Sequence, residues 1–91
     1  MTEQNGLMPE NPDAEERAHH HRAMGSSVDL INAIIDGTQY ENEEVSTRVD
    51  IMDRNVRHLE IMVAKTYWDG EDMAPSNAAI TAGKAYIADN S

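Results

Sequence analysis

The sequence contains no cysteine and no phenylalanine, and it has only one tryptophan and three tyrosines. Without cysteine the chain cannot form a disulfide, a thiolate nucleophile or a Cys-ligated zinc site. Because aromatic side chains are so few, any hydrophobic core must be built from aliphatic residues and from the six methionines. A length of 91 residues allows one small domain.

Basic residues are also scarce: 7 Lys and Arg stand against 17 Asp and Glu, which gives a formal net charge of −10. Non-specific nucleic-acid binding and binding to anionic membranes both rely on Lys and Arg. The charge therefore argues against direct contact with nucleic acid or with a membrane. It suits a protein partner with a basic surface, or a protein that mimics a polyanion.

Long apolar runs are missing as well, since no stretch approaches the length of a transmembrane helix. The N-terminal residues are acidic and lack a basic segment followed by an apolar one, so they do not resemble a secretory signal peptide. We therefore expect a protein that stays inside the cell or is released by lysis.

Residues 1–25 predict an acidic, mostly disordered tail. Its start is polar and carries two prolines, so it cannot bury enough surface to offset the entropy of ordering it. Asp13 could cap a helix in the alanine-containing stretch that follows, but such a helix should be marginal in isolation. Gly25 then interrupts the pattern, and residues 26–89 are expected to form the helical domain.

The domain predicts an all-α fold with a short helix, a long central helix and a short C-terminal helix. Ser26 or Ser27 is the expected N-cap of the first helix, and Gly37 is typical of the left-handed position that ends one. The predicted helices cover about 28–36, 41–68 and 75–88.

Two further signals mark where the later helices begin. Thr38 and Glu41 match the capping-box pattern in which a Ser or Thr is followed three residues later by Glu. Pro75 suits the first turn of the third helix, where its missing N–H has no consequence, and Ser76 is the rival cap.

The strongest pattern is an apolar seam on the central helix. Its members follow steps of four and three residues, which is the a/d pattern of a heptad repeat. A single core of about 60 residues rarely supplies more than about 3–5 kcal/mol without disulfides or another staple. We therefore expect an oligomeric helical bundle in which a second copy of the chain covers this seam. The predicted self-association interface consists of Val45, Val49, Met52, Val56, Leu59 and Val63.

The adjacent aromatic residues Tyr67 and Trp68 have two interpretations. They could close the end of the core, or they could anchor a protein partner, since Trp and Tyr dominate binding hot spots. We keep both as candidates.

No catalytic, cofactor or metal site is expected. Adjacent histidines on a helix, such as His19, His20 and His21, point in different directions, so at most two could share a metal ion. The acids around Gly70 lack the spacing of a calcium loop. The sequence also lacks a phosphate-binding loop and a nucleophile elbow.

The segments DRNVRHLEIM, at Asp53 to Met62, and AITAGKA, at Ala79 to Ala85, resemble small, mostly uncharacterised proteins encoded by tailed bacteriophages. The resemblance covers about residues 28–87. It implies a phage or prophage setting, with the protein in the host cytoplasm or in the virion, and it carries no catalytic motif.

Three functional classes follow from these observations. The first is a non-enzymatic interaction or assembly protein that self-associates through the central helix and binds an unidentified protein partner. The second is an acidic inhibitor that mimics nucleic acid and blocks a host nucleic-acid-binding protein. An enzyme is the third and least supported class, because no nucleophile–base constellation is visible.

Overall fold

Three α-helices form the regular structure of residues 13–68 and 70–90, which are the residues that the computed structural model describes. No strand occurs among them, so the predicted all-α class is confirmed for this part of the chain. The helices are α1 (Ala14–Asp36), α2 (Val45–Val63) and α3 (Ala74–Asp89).

Helix α1 begins much earlier than the sequence pattern indicates. The Asp13 side chain accepts a hydrogen bond of 2.9 Å from the Glu16 N–H and so caps the helix at Ala14. The helix then continues through Gly25, because Met24 is only 1% exposed and packs into the core. The predicted disordered tail is therefore wrong from Ala14 onward, and its first twelve residues lie outside the described part of the chain.

The predicted caps at Ser26 and Ser27 are also wrong, since both serines lie inside α1. Ser26 bonds back to the carbonyl of Arg22 at 3.3 Å, and Ser27 is buried with its hydroxyl 2.8 Å from His58 Nδ1. A serine inside a helix is tolerated when its hydroxyl finds such a partner. The end of α1 follows the prediction, because Gly37 has φ +80° and donates to carbonyls of the last turn.

Helix α2 has 19 residues and is shorter than the predicted range 41–68. Among the described helices α1, with 23 residues, is the longest. The predicted capping box does not form, because the Thr38 hydroxyl bonds back to Ala33 and Tyr40 has φ +57°. At the other end, the chain leaves the helix after Val63 and folds back, so that Trp68 Nε1 donates to the Met62 carbonyl at 2.7 Å.

Helix α3 agrees with the predicted helix to within one residue at each end. The Asp72 side chain accepts a 2.9 Å hydrogen bond from the Ala74 N–H and so holds the start of the helix. Pro75 lies in the first turn, where no N–H is needed. Ser76 is buried within this turn and does not cap it.

Each helix contacts the other two. The hydrogen bonds between Ser27 and His58 and between Arg48 and Tyr86 lie where an antiparallel α2 would place them against its two neighbours. The core lies between the three helices and is largely aliphatic, as the composition predicts. Its buried hydrophobic side chains are Met24, Ile31, Ile34, Met52, Val56, Leu59, Trp68 and Ala79.

Gly83 allows α3 to approach α2 closely at the middle of the bundle. A Cβ atom at this position would lie 2.5 Å from Val56 Cγ2 and 3.2 Å from Met52 Sδ. Such distances leave no room for a methyl group, so this glycine is needed for packing and not for backbone conformation. None of the described helices combines the length and apolarity that crossing a bilayer requires.

Candidate functional site

The predicted self-association seam lies largely inside a single chain. Met52, Val56 and Leu59 are 0%, 2% and 0% exposed, because α1 and α3 cover this face of α2. Val49 and Val63 are partly buried, and only Val45, at 43%, is exposed. A second copy of the chain cannot contact the three central side chains while this core is intact. Self-association stays a prediction, and it would need another surface.

Trp68 closes the core instead of standing free for a partner. Its ring is 7% exposed, its Nε1 is bonded to the Met62 carbonyl, and the Tyr67 ring packs against it with centroids 4.9 Å apart. Of the two interpretations of this aromatic pair, the geometry favours core closure. Tyr67 is half-buried beside it.

The histidines do not form a site within the described residues. His58 Nδ1 lies 2.8 Å from the Ser27 hydroxyl, and among the described residues no third side chain is hydrogen-bonded to this pair. His21 lies 3.5 Å from Glu71 and packs near Trp68. No group of three or more metal-binding side chains gathers in the described part of the chain.

A cleft of about 340 Å³ opens between α1 and the start of α3. Its lining includes the apolar Val28 and Pro75, and charged side chains of both signs in Arg22, Asp29 and Asp72. The Asp72 carboxylate already accepts a hydrogen bond from the Ala74 N–H. This mixture selects no class of ligand.

At the opposite end of the bundle the exposed charged side chains are mostly acidic. The end of α1, the start of α2 and the end of α3 meet there, since the Arg48 side chain on α2 reaches Tyr86 on α3. We call this region the acidic end. Its exposed acidic side chains are Asp36, Glu41, Glu43, Glu44 and Asp89.

Exposed apolar side chains are concentrated at the same end. Among the described residues, the large hydrophobic side chains that remain exposed are Ile35 at 40%, Tyr40 at 37%, Val45 at 43% and Ile61 at 61%. The first three belong to the acidic end. Exposed apolar groups with a polar rim are typical of a surface that binds a partner.

Arg48 is a basic residue at this end, and its guanidinium group points toward the turn. Its Nη1 donates to the carbonyls of Glu43 at 2.6 Å, Tyr40 at 3.3 Å and Glu41 at 3.4 Å, and its Nε donates to the Tyr86 hydroxyl at 3.2 Å. The guanidinium therefore holds the turn between α1 and α2 from inside. Left-handed backbone costs a residue such as Tyr40 about 1–2 kcal/mol, and the hydrogen bond to its carbonyl offsets part of that.

Sequence reasoning missed this role of Arg48. One signal could have found it: a cation in the first turns of a helix opposes the helix dipole. An arginine at that position, four residues after Glu44, therefore indicates a specific partner nearby.

Comparisons of the chain with protein-family models, with curated proteins and with solved structures return no match.

Proposed function

We propose that this chain is a non-enzymatic protein–protein interaction protein that binds a basic protein surface through its acidic end. The observation that carries the proposal is the coincidence of exposed acids with Ile35, Tyr40 and Val45 at one end of the bundle. Complementary charge steers a partner to such a surface, and apolar contact then stabilises the complex.

Burial of the heptad seam supports this choice of surface. An oligomeric bundle held by Met52, Val56 and Leu59 would require those side chains to leave the core of one chain. The acidic end needs no such rearrangement. The phage setting implied by the sequence resemblance stays a prediction, and the proposal does not depend on it.

The test uses a helical peptide with one lysine face and one leucine face as a stand-in for the basic partner. A variant with Glu41→Gln, Glu43→Gln and Glu44→Gln removes three charges from the acidic end. We expect it to bind the peptide about tenfold more weakly, since each exposed charge pair contributes about 0.5 kcal/mol and the loss of three removes about 1.5 kcal/mol.

The matched control carries Glu15→Gln, Glu16→Gln and Asp29→Asn, which removes the same charge from exposed positions away from the acidic end. At about 0.15 M ionic strength the Debye length is about 8 Å, so these remote charges are largely screened. Binding measured by calorimetry should stay close to that of the wild type. Equal losses in the two variants would mean that net charge alone attracts the peptide.

An acidic inhibitor that mimics nucleic acid is the second candidate, favoured by the same excess of acids. On the outer face of α2, however, Arg57 is paired with Asp53 at 2.8 Å and Arg54 is exposed, so basic groups interrupt an acidic track along this helix. If the mimic is correct, the wild-type protein should displace duplex DNA from a basic DNA-binding protein. The variant neutralised at Glu41, Glu43 and Glu44 should then fail to do so.

A further inference from the structure

The turn between α1 and α2 is folded around a single side chain. Carbonyls from Tyr40, Glu41 and Glu43 converge on Nη1 of Arg48, and the Nε of the same guanidinium bonds Tyr86 on α3. We propose that Arg48 is the positioning residue of the docking surface, an inference that rests on the proposed function of the acidic end. Arg48 holds the turn in one shape before a partner arrives.

The geometry requires arginine specifically. A guanidinium presents several N–H donors in a fixed plane, so one edge can serve the turn while Nε serves Tyr86. A lysine ammonium is a single point at the end of a flexible stem. It could reach the carbonyls or the Tyr86 hydroxyl, but it cannot hold both in this arrangement. The side chain thus connects the turn to both α2 and α3.

Holding the turn matters for binding because flexible segments lose entropy when a partner orders them. Tyr40 and Glu41 each offer a carbonyl to Arg48 while their side chains face solvent. With the backbone fixed in this way, the acidic and apolar groups keep their relative positions in the free protein. A basic partner then meets a preformed surface.

This role predicts a result opposite to that of simple electrostatics. Removing Arg48 makes the acidic end more negative, so Coulomb attraction alone would make a basic partner bind more tightly. Loss of the hydrogen bonds that hold the turn would make it bind more weakly. The sign of the change in affinity therefore decides between the two effects.

The binding experiment compares Arg48→Gln with Arg54→Gln, using the full chain and the peptide with lysine and leucine faces. Both substitutions remove one positive charge from α2, and Arg54 is exposed. We expect Arg48→Gln to weaken binding about fivefold through loss of pre-organisation, while Arg54→Gln leaves it unchanged or slightly tighter. Tighter binding in both variants would overturn the proposal.

A second measurement examines the turn in the free protein, independently of any partner. Amide hydrogen exchange of residues 39–44 should become about tenfold faster in Arg48→Gln, with the helices still protected. Arg48→Lys should lie between the wild type and Arg48→Gln, and Tyr86→Phe should have a smaller effect because it removes one bond. Unchanged exchange of the turn in Arg48→Gln would show that the side chain does not hold it.

The two measurements separate failure of this inference from failure of the proposed function. If the wild-type protein does not bind the peptide, the docking function is wrong, whereas the exchange data still decide whether Arg48 fixes the turn. If the wild type binds and the turn loosens in Arg48→Gln without any loss of affinity, the docking function stands and the positioning role is wrong. Circular dichroism of each variant should match that of the wild type if the helices are kept.

Discussion

The two ends of the bundle use different side chains to hold the turns between their helices. At the end that joins α2 to α3, which we call the Trp68 end, an indole that is 7% exposed caps the core and bonds the Met62 carbonyl. At the acidic end, a guanidinium bonds the carbonyls of the turn, and Tyr40 and Val45 remain 37% and 43% exposed. Both solutions satisfy backbone carbonyls, but only one of them buries large apolar surface.

The two ends are therefore expected to contribute differently to the stability of the fold. Burying a large aromatic ring contributes several kcal/mol to folding, whereas exposed charged and apolar groups contribute little. Most of the stabilisation is therefore expected from the Trp68 end, whereas the exposed side chains of the acidic end should be exchangeable at little cost. Surfaces of the second kind are where binding residues are usually found.

The largest expected effect is a difference in stability between the two ends. Replacing one aromatic residue at each end by alanine measures it. Trp68→Ala should lower the free energy of unfolding by about 3–5 kcal/mol, the range for large aromatic side chains removed from a core. Tyr40→Ala should lower it by no more than about 0.5 kcal/mol, as expected for an exposed side chain. Urea unfolding followed by circular dichroism measures both. Similar losses of unfolding free energy in the two variants would contradict the view that the Trp68 end contributes more to stability.

The second prediction concerns the middle of the bundle, where α3 packs closely against α2 at Gly83. Gly83→Ala places a methyl group within 2.5 Å of Val56 Cγ2. Overpacking costs about 1–3 kcal/mol, and the better helix propensity of alanine returns only about 1 kcal/mol, so the variant should be less stable.

Gly25→Ala is the matched control, because nothing lies within 4 Å of an added Cβ there. This substitution in α1 should raise stability by about 0.5–1 kcal/mol through helix propensity alone. Thermal unfolding of the two variants provides the test. A gain in stability for Gly83→Ala would mean that α2 and α3 are not in close contact.

A third prediction concerns binding and sharpens the role of the exposed apolar groups. Tyr40→Ser should weaken binding of the lysine–leucine peptide by about 1–2 kcal/mol, as expected for an aromatic anchor at an interface. Ile61→Ser removes an even more exposed apolar side chain, at 61%, from outside the acidic end, and it should leave affinity unchanged. If Ile61→Ser weakens binding as much, the peptide does not select the acidic end.

The smallest effect is expected at the start of α1, beyond the Trp68 end. Asp13→Ala removes the side-chain cap of the Glu16 N–H and should cost about 0.5–1 kcal/mol. Amide exchange should increase first in the opening turn of α1, with little change near Met24. Uniform protection along α1 in this variant would indicate that the cap does not set the start of the helix.

Local signals in the sequence predicted some features well and others poorly. Gly37 and Pro75 mark the end of α1 and the start of α3, because their backbone requirements are local. The continuation of α1 through Gly25 to Ser27 was missed, since it depends on Met24 entering the core and on the hydrogen bond between the Ser27 hydroxyl and His58 Nδ1. Tertiary packing overrides local propensity in such cases.

The candidate site was harder to predict than the fold. A heptad seam shows that Val56 and Leu59 need cover, but the pattern is the same whether that cover comes from α1 and α3 or from a second chain. The acidic composition indicated a basic partner, but it did not show that Ile35, Tyr40 and Val45 would remain exposed among the acids at one end of the bundle. Arg48 bonds mainly to backbone carbonyls, so the pattern of side-chain types does not reveal its partners, and its unfavourable position near the start of α2 was the one sequence signal for its role.

The most direct test is the mass of the full chain in solution, measured by light scattering from micromolar to submillimolar concentration, with helicity followed by circular dichroism. If the core is complete within one chain, the protein is a helical monomer throughout this range. The acidic end would then remain exposed in the free protein, as the proposed binding surface requires. An oligomer that loses its helicity when it dissociates would contradict this, because the seam at Met52, Val56 and Leu59 would then be covered by another copy.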